Sequence, residues 1–285
     1  MDAHIVALTS TPPDSSWTLI DAPFPAVCTH VPAPQGIDAA AEWARQVTDG
    51  AQVLAIDARL TQARRLAVCL DCDSTLITGE VIEMLADRAG KREEVAEVTR
   101  RAMEGELDFA DSLRARVATL AGLDAGIIDE VAAGLELTTG AQELIAALHA
   151  DGHVVGVVSG GFIQVLKPLA AQLRLDAVAA NTLEVVDGTL TGRVRGGVVD
   201  KQEKARFLAR LAQDFGADAT VAVGDGANDC AMVAAADLGV ALCGKPALRE
   251  VADVCLDVPR LDALIPLLGL SAAVPVADGH PGDVL

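Results

Sequence analysis

Three stretches of the chain run apolar and then stop abruptly on polar residues or glycine. They are "RLAVCLD" (65–71), "HVVGVVSG" (153–160) and "ATVAVGD" (219–225). Unbroken Val-rich runs of this length predict parallel strands buried on both faces. Helix-period patterns separate them, so the fold class is α/β with a doubly wound, mostly parallel sheet. "VALCG" (240–244) and "VCLDV" (254–258) predict two more short strands. Residues 79–137 carry successive helical patterns and no strand pattern, which predicts a helical cap inserted after the first core strand. Residues 182–195 predict a hairpin turning at Asp187-Gly188.

The pattern divides the chain into a core at 67–270, a small α/β segment at 1–66 and a tail at 271–285, expected to be disordered. In the first segment "HIVALTS" and "WTLIDAPFP" predict short strands, and "IDAAAEWARQV" predicts a helix. That segment carries no chemical motif.

Parallel sheets bind ligands beyond the carboxyl ends of their strands. The three strong strands end in Asp71-x-Asp73-Ser74-Thr75, Ser159-Gly160-Gly161 and Gly224-Asp225-Gly226-Ala227-Asn228-Asp229. Brought to one edge, these clusters gather carboxylates that need a cation, and an all-oxygen set suits Mg²⁺. The Ser-Gly-Gly segment, read as a turn at a helix start, offers a hydroxyl and open N–H groups for a phosphate. With no P-loop lysine motif, a carboxylate becomes the candidate nucleophile for phosphoryl transfer.

Charge sharpens the picture. Asp and Glu number 41 against 22 Lys and Arg, a net charge of −19. Such a field disfavours nucleic acid and anionic membranes, and a phosphate ligand needs a local cation. No run approaches the roughly 18 apolar residues that span a bilayer, and no basic leader precedes the first strand, so a cytoplasmic protein is expected.

Two helices place a cation on an apolar face. Over 200–215, Lys204 shares the stripe of Leu208, Leu211 and Phe215, although Lys201 lies one turn away and spacing does not separate the two. In the cap, Arg116 shares the stripe of Phe109, Leu113 and Leu120, whereas Arg114 points away. An internal salt bridge is the plainer reading of Arg116, and a favourable helix-start carboxylate is the plainer reading of Glu80. Cys69 and Cys72 project to opposite faces of a strand and have no partner pair for zinc. Cys230 and Cys243 are expected to be small core residues.

Taken together, "DCDST" (71–75), "SGGF" (159–162), the lysine of "EKARFL", "GDGAND" (224–229) and the cap run "AMEGELDFADSLRARV" (102–117) resemble the haloacid dehalogenase superfamily. Within it they look closest to the phosphoserine phosphatase branch. The resemblance covers about 67–260 and implies a Rossmann-like core with a helical cap. It implies a Mg²⁺-dependent enzyme that hydrolyses O-phospho-L-serine to L-serine and phosphate through an aspartyl-phosphate, the last step of serine biosynthesis. A related phosphatase or phosphotransferase on another ester, or a non-catalytic serine sensor, are the alternatives.

On this resemblance Asp71 is the nucleophile and Asp73 the acid and base. The metal is held by Asp71, the Asp73 carbonyl and Asp225, with Asp229 behind them through water. Ser159, Gly160 and Lys204 hold the phosphoryl group, and Asn228 contacts the phosphoryl group or substrate. Glu80 and Arg116 bind the ammonium and carboxylate of the substrate, with Met103 and Phe109 lining the cap. A homodimer is the implied assembly. Gly79 departs from the more usual polar or branched residue.

Overall fold

The computed structural model describes residues 1–20, 24–103 and 108–271, with the side chains of Ala102 and Met103 outside that description. The expected tail therefore lies, beyond Ser271, outside the described residues, as does the expected cap contact of Met103.

The N-terminal segment builds β1 (Asp2–Ala7), β2 (Thr18–Leu19), β3 (Val27–Pro32), α1 (Ile37–Val47) and β4 (Val53–Asp57). The strands form an antiparallel sheet of order β2-β3-β1-β4. Its two faces have different partners. Ala3, Ile5 and Ala55 pack under Ala40, Ala41 and Ala44 of α1. Val6, Leu54 and Ile56 join the main core of the molecule. This two-sided burial explains why β1 and β4 lack a clean alternation. The sequence reading captured β1 and α1 and missed β3 and β4.

His4 sits on the face turned to the core and is 3% exposed. Its Nε2 donates to the carbonyl of Pro266 at 2.9 Å. Nδ1 must then accept, and His30 Nε2 donates to it at 3.0 Å. Burial, against the pull of the Pro266 carbonyl, holds the His4 pKa below its ordinary 6.5. His4 is thus neutral when folded and binds its proton more readily when unfolded. Its contribution is complete above pH 6.5 and is lost as pH falls through the folded value. The urea midpoint should drop between pH 7.5 and pH 5.5, and His4→Gln should flatten that drop. An equal drop in both proteins would remove His4 as its source.

The core begins with β5 (Leu66–Leu70). The cap follows as α2 (Val81–Arg88), α3 (Arg92–Met103), α4 (Phe109–Ala118) and α5 (Gly126–Ala133). The chain then returns through α6 (Ala141–Ala150), β6 (Val154–Phe162), α7 (Ile163–Leu173), β7 (Ala177–Val186) and β8 (Thr189–Arg195). It closes with α8 (Lys201–Phe215), β9 (Ala219–Gly224), α9 (Cys230–Ala235), β10 (Leu238–Leu242), α10 (Pro246–Arg249), β11 (Val254–Leu256) and α11 (Leu264–Leu267).

The seven strands run β11-β10-β9-β5-β6-β7-β8. All pairings are parallel except β7 with β8. Strands β9, β5 and β6 are adjacent, so their three carboxyl-end clusters share one edge. β7 does double service: Ala177–Ala179 pair parallel with β6, and Thr182–Val186 turn back antiparallel onto β8. The hairpin turns at Asp187 and Gly188, both at positive φ (48° and 75°), the geometry of the tight turn that suits strand twist.

Candidate active site

Asp71 leaves β5 with its N–H donated to Val223 O at 2.9 Å, which ties the end of β5 to β9. Its carboxylate is 2% exposed. Oδ1 accepts from the Cys72 N–H at 2.7 Å and sits 2.7 Å from Lys204 Nζ. Oδ2 accepts from Asn228 Nδ2 at 3.4 Å.

The chain then winds through a single tight turn over 72–76, possible because Ser74 adopts a left-handed conformation (φ 57°). The turn reverses the chain beside Asp71 and aims Asp73 toward β6. Asp73 Oδ1 accepts the N–H of Val81 at the start of α2 (2.9 Å), and Oδ2 accepts the Ser159 hydroxyl (3.2 Å). Ser74 donates its hydroxyl to Glu80 at 3.2 Å. The floor and the cap entrance are thereby joined through one short loop.

Ser159, Gly160 and Gly161 do not form the turn at a helix start that the sequence suggested. They continue β6 in extended form past a register shift between Val158 and Phe162, and α7 starts only at Ile163. The glycines are needed for space. A Cβ on Gly161 would lie 2.9 Å from Asp73 Oδ2, and one on Gly160 would lie 3.0 Å from the Phe109 ring. Asn181, 1% exposed, braces this segment by donating to Gly160 O at 2.8 Å while accepting the Val199 N–H at 2.8 Å. Sequence reasoning missed Asn181. Its signal was a polar residue inside an apolar strand.

Lys204 is fully buried and bridges Asp71 and Asp229, at 2.7 Å from each. Asp200 caps α8, accepting from the N–H groups of Gln202 and Glu203, and so fixes the helix start from which Lys204 reaches inward. Lys201 is exposed instead. Asp229 also accepts the N–H groups of Asp225 (3.2 Å) and Gly226 (3.1 Å), folding the 224–229 loop around its own carboxylate. A Cβ on Gly224 would meet that carboxylate at 2.5 Å.

Asp71, Asp225 and Asp229 are all buried and each offers an oxygen within 4.8 Å of the others. Lys204 is the one buried ammonium described among them. This cluster of hard oxygens with excess negative charge fits a bound metal ion. Lys245, which the sequence reading did not single out, places Nζ 2.9 Å from Asp225 Oδ2.

Asp71, Asp73, Asp225 and Lys245 line a cavity of about 180 Å³ between core and cap, with Glu80 and Arg116 on the cap side and Phe109 and Leu113 as apolar wall; Lys204 and Asp229 lie buried behind it. Arg116 Nε donates to Ser112 O at 3.4 Å, and among the described residues no carboxylate closes the internal salt bridge considered above. Arg114 pairs outward with Asp111 at 3.0 Å. An apolar hollow of about 300 Å³ beside Trp43 is more capacious but is lined by no ionisable group.

The electrostatics follow from burial. Burial raises the pKa of Asp71, and Asp229 adds to this against the ammonium of Lys204. Burial raises Asp73 as well, against the Val81 N–H and Lys204, a shift that would suit a general acid. Burial and then Asp73 raise Glu80. Burial alone would lower Lys204, but Asp71 and Asp229 hold it well above its ordinary value, so it stays cationic. Cys69 and Cys72 are buried and free, and burial raises both thiols, so neither is a thiolate. Cys243 is exposed on a positive-φ turn (46°) and Cys230 is half-buried, so neither is the core residue expected.

A parallel sheet with a helical cap, carrying aspartates at the end of its central strand, defines a class. The haloacid dehalogenase-like hydrolase model matches residues 68–234, and the chain belongs to that family. Among its relatives is a protein named phosphoserine phosphatase SerB2 from Mycobacterium tuberculosis, 56% identical over 212 residues, which are 74% of this chain and 52% of that one. The chain thus spans about half the length of that relative.

Two solved structures extend the likeness. One is described as a phospho-aspartyl intermediate analogue of phosphoserine phosphatase, with TM-score 0.67, 41% identity, and coverage of 71% of this chain and 98% of that one. The other is an unliganded probable phosphoserine phosphatase from Vibrio cholerae, with TM-score 0.76, 37% identity, and coverage of 94% of this chain and 86% of that one. Coverage of 94% carries the second likeness into the N-terminal segment. Among the described residues no helix is long and apolar enough to cross a membrane.

Proposed function

We propose that this chain is a Mg²⁺-dependent phosphoserine phosphatase that works through an aspartyl-phosphate. The observation that carries the reading is the single small cavity in which Asp71, Asp73, Asp225, Glu80 and Arg116 meet. One end is built for a phosphate and the other for a zwitterion.

Asp71 attacks phosphorus. The P–O bond to the serine oxygen breaks, and Asp73 gives that oxygen its proton. Asp73 then takes a proton from water, which attacks the aspartyl-phosphate, releases phosphate and restores the Asp71 carboxylate. The Ser159 hydroxyl, the Gly160 N–H and Lys204 receive the phosphoryl oxygens, and Asn228 steadies Asp71 and the incoming group. A divalent ion held by Asp71, the Asp73 carbonyl and Asp225, with Asp229 behind, would supply charge neutralisation for an anion meeting a carboxylate. Glu80 faces the substrate ammonium and Arg116 its carboxylate. Phe109 closes over Gly160 and excludes water.

Phosphate release from a panel of monoesters, with and without Mg²⁺, tests the reading. Turnover of phosphoserine that depends on Mg²⁺ and exceeds that of other esters is expected, and none would sink it. The zwitterion end has its own test. Arg116→Ala should raise KM about 100-fold for phosphoserine, the scale of a lost charged pair, and far less for p-nitrophenyl phosphate. Equal effects on both would remove Arg116 from carboxylate recognition.

A further inference from the structure

Lys245 lies outside every motif described above, yet it reaches the acidic cluster. Its backbone N–H donates to Asp225 O at 2.8 Å, so the residue is tethered to the 224–229 loop by its main chain. Its Nζ lies 2.9 Å from Asp225 Oδ2. The two lysines of the site differ in freedom. Lys204 is 0% exposed, whereas the Lys245 side chain is 62% exposed and can leave its carboxylate for water without burying its own charge unpaired. A side-chain ammonium is a compact, hydrated point charge on a flexible stem, well suited to exchange.

We propose that Lys245 is an internal competitor for the metal position. Its ammonium and the divalent ion share the Asp225 carboxylate, and binding the ion releases the lysine toward the cavity that it lines with Glu80. The lysine partly neutralises the cluster of Asp71, Asp225 and Asp229 until the ion arrives, and so sets how tightly the ion binds. The inference rests on the reading that Asp225 is a metal ligand.

Titration calorimetry of the whole chain with Mg²⁺ alone, without substrate, tests it. An ion pair whose ammonium is solvent-exposed is worth about 1 kcal/mol, about fivefold in affinity, so Lys245→Met should tighten Mg²⁺ binding by about three- to fivefold. Lys245→Arg should stay near the parent value. In EDTA the Met variant should melt below the parent, and saturating Mg²⁺ should erase the difference. Lys201→Met removes the same charge from a residue that does not touch Asp225, and should leave Mg²⁺ affinity unchanged. Unchanged or weaker binding by the Met variant, or equal tightening by Lys201→Met, overturns the proposal. If the parent chain itself takes up no Mg²⁺, the metal reading fails and this inference falls with it. If the parent binds and Lys245→Met does not tighten, only the role of Lys245 is lost.

Discussion

Asp71→Asn should reduce phosphoserine turnover by about 10⁴-fold or more, because on the proposed mechanism it removes the group that forms the covalent bond. The substitution is nearly isosteric. The amide can keep an oxygen toward the Cys72 N–H, whose bond to Oδ1 is 2.7 Å in the parent, so the loop at the end of β5 should hold its shape. The expected signature is an intact fold by circular dichroism together with loss of radiolabel transfer. In acid-quenched single turnovers with labelled phosphoserine, the parent should yield a labelled protein and the variant none. Labelled protein from the Asn variant would move the nucleophile elsewhere. Asp73→Asn provides the contrast. It should still accept label slowly from a phosphate ester with a good leaving group, which needs no proton, and then release it slowly for want of a base.

Lys204→Met should harm both folding and chemistry. The parent ammonium lies between two buried carboxylates at 2.7 Å each. Removing it strands Asp71 and Asp229 in a site that already raises the Asp71 pKa by burial. Breaking a buried pair this way costs about 3–5 kcal/mol, a large part of a domain's net stability. If Lys204 holds the phosphoryl group as proposed, losing its cation should cost a further 10²- to 10³-fold, on the order of one oxyanion donor, in kcat. The double variant Lys204→Met with Asp71→Asn separates the two effects. It removes one stranded charge, so it should recover part of the urea midpoint and none of the turnover. A Lys204→Met protein as stable as the parent in EDTA would mean that the lysine is not paired as the structure places it.

Much of this site was legible in the chain, for a physical reason. A strand buried on both faces must be apolar along its length, so its end is marked where polar residues begin. That mark fell at Asp71, Ser159 and Gly224, and the adjacency of β5, β6 and β9 brings the three together. Helical spacing likewise put Lys204 and Arg116 on apolar faces. What failed was local geometry. Ser159–Gly161 read as a turn because two glycines usually mark one, yet here they buy close approach to Asp73 and Phe109 inside a strand. β4 was missed because it is short and buried on both faces, by the neighbouring α1 on one side and by the main core on the other, so it shows no alternation.

The sequence by itself determined the repertoire: which strands end in carboxylates, which helices carry a cation inward, and that a cap interrupts the core. Those follow from periodicity, a local property of the chain. The tertiary structure alone decided between Lys201 and Lys204, because one turn of helix separates them and only packing against β5 and β9 says which is enclosed. It alone brought Asn181 to Gly160, Lys245 to Asp225 and His4 to Pro266. Each of these pairs is far apart in sequence, and its distance is set by how whole elements dock.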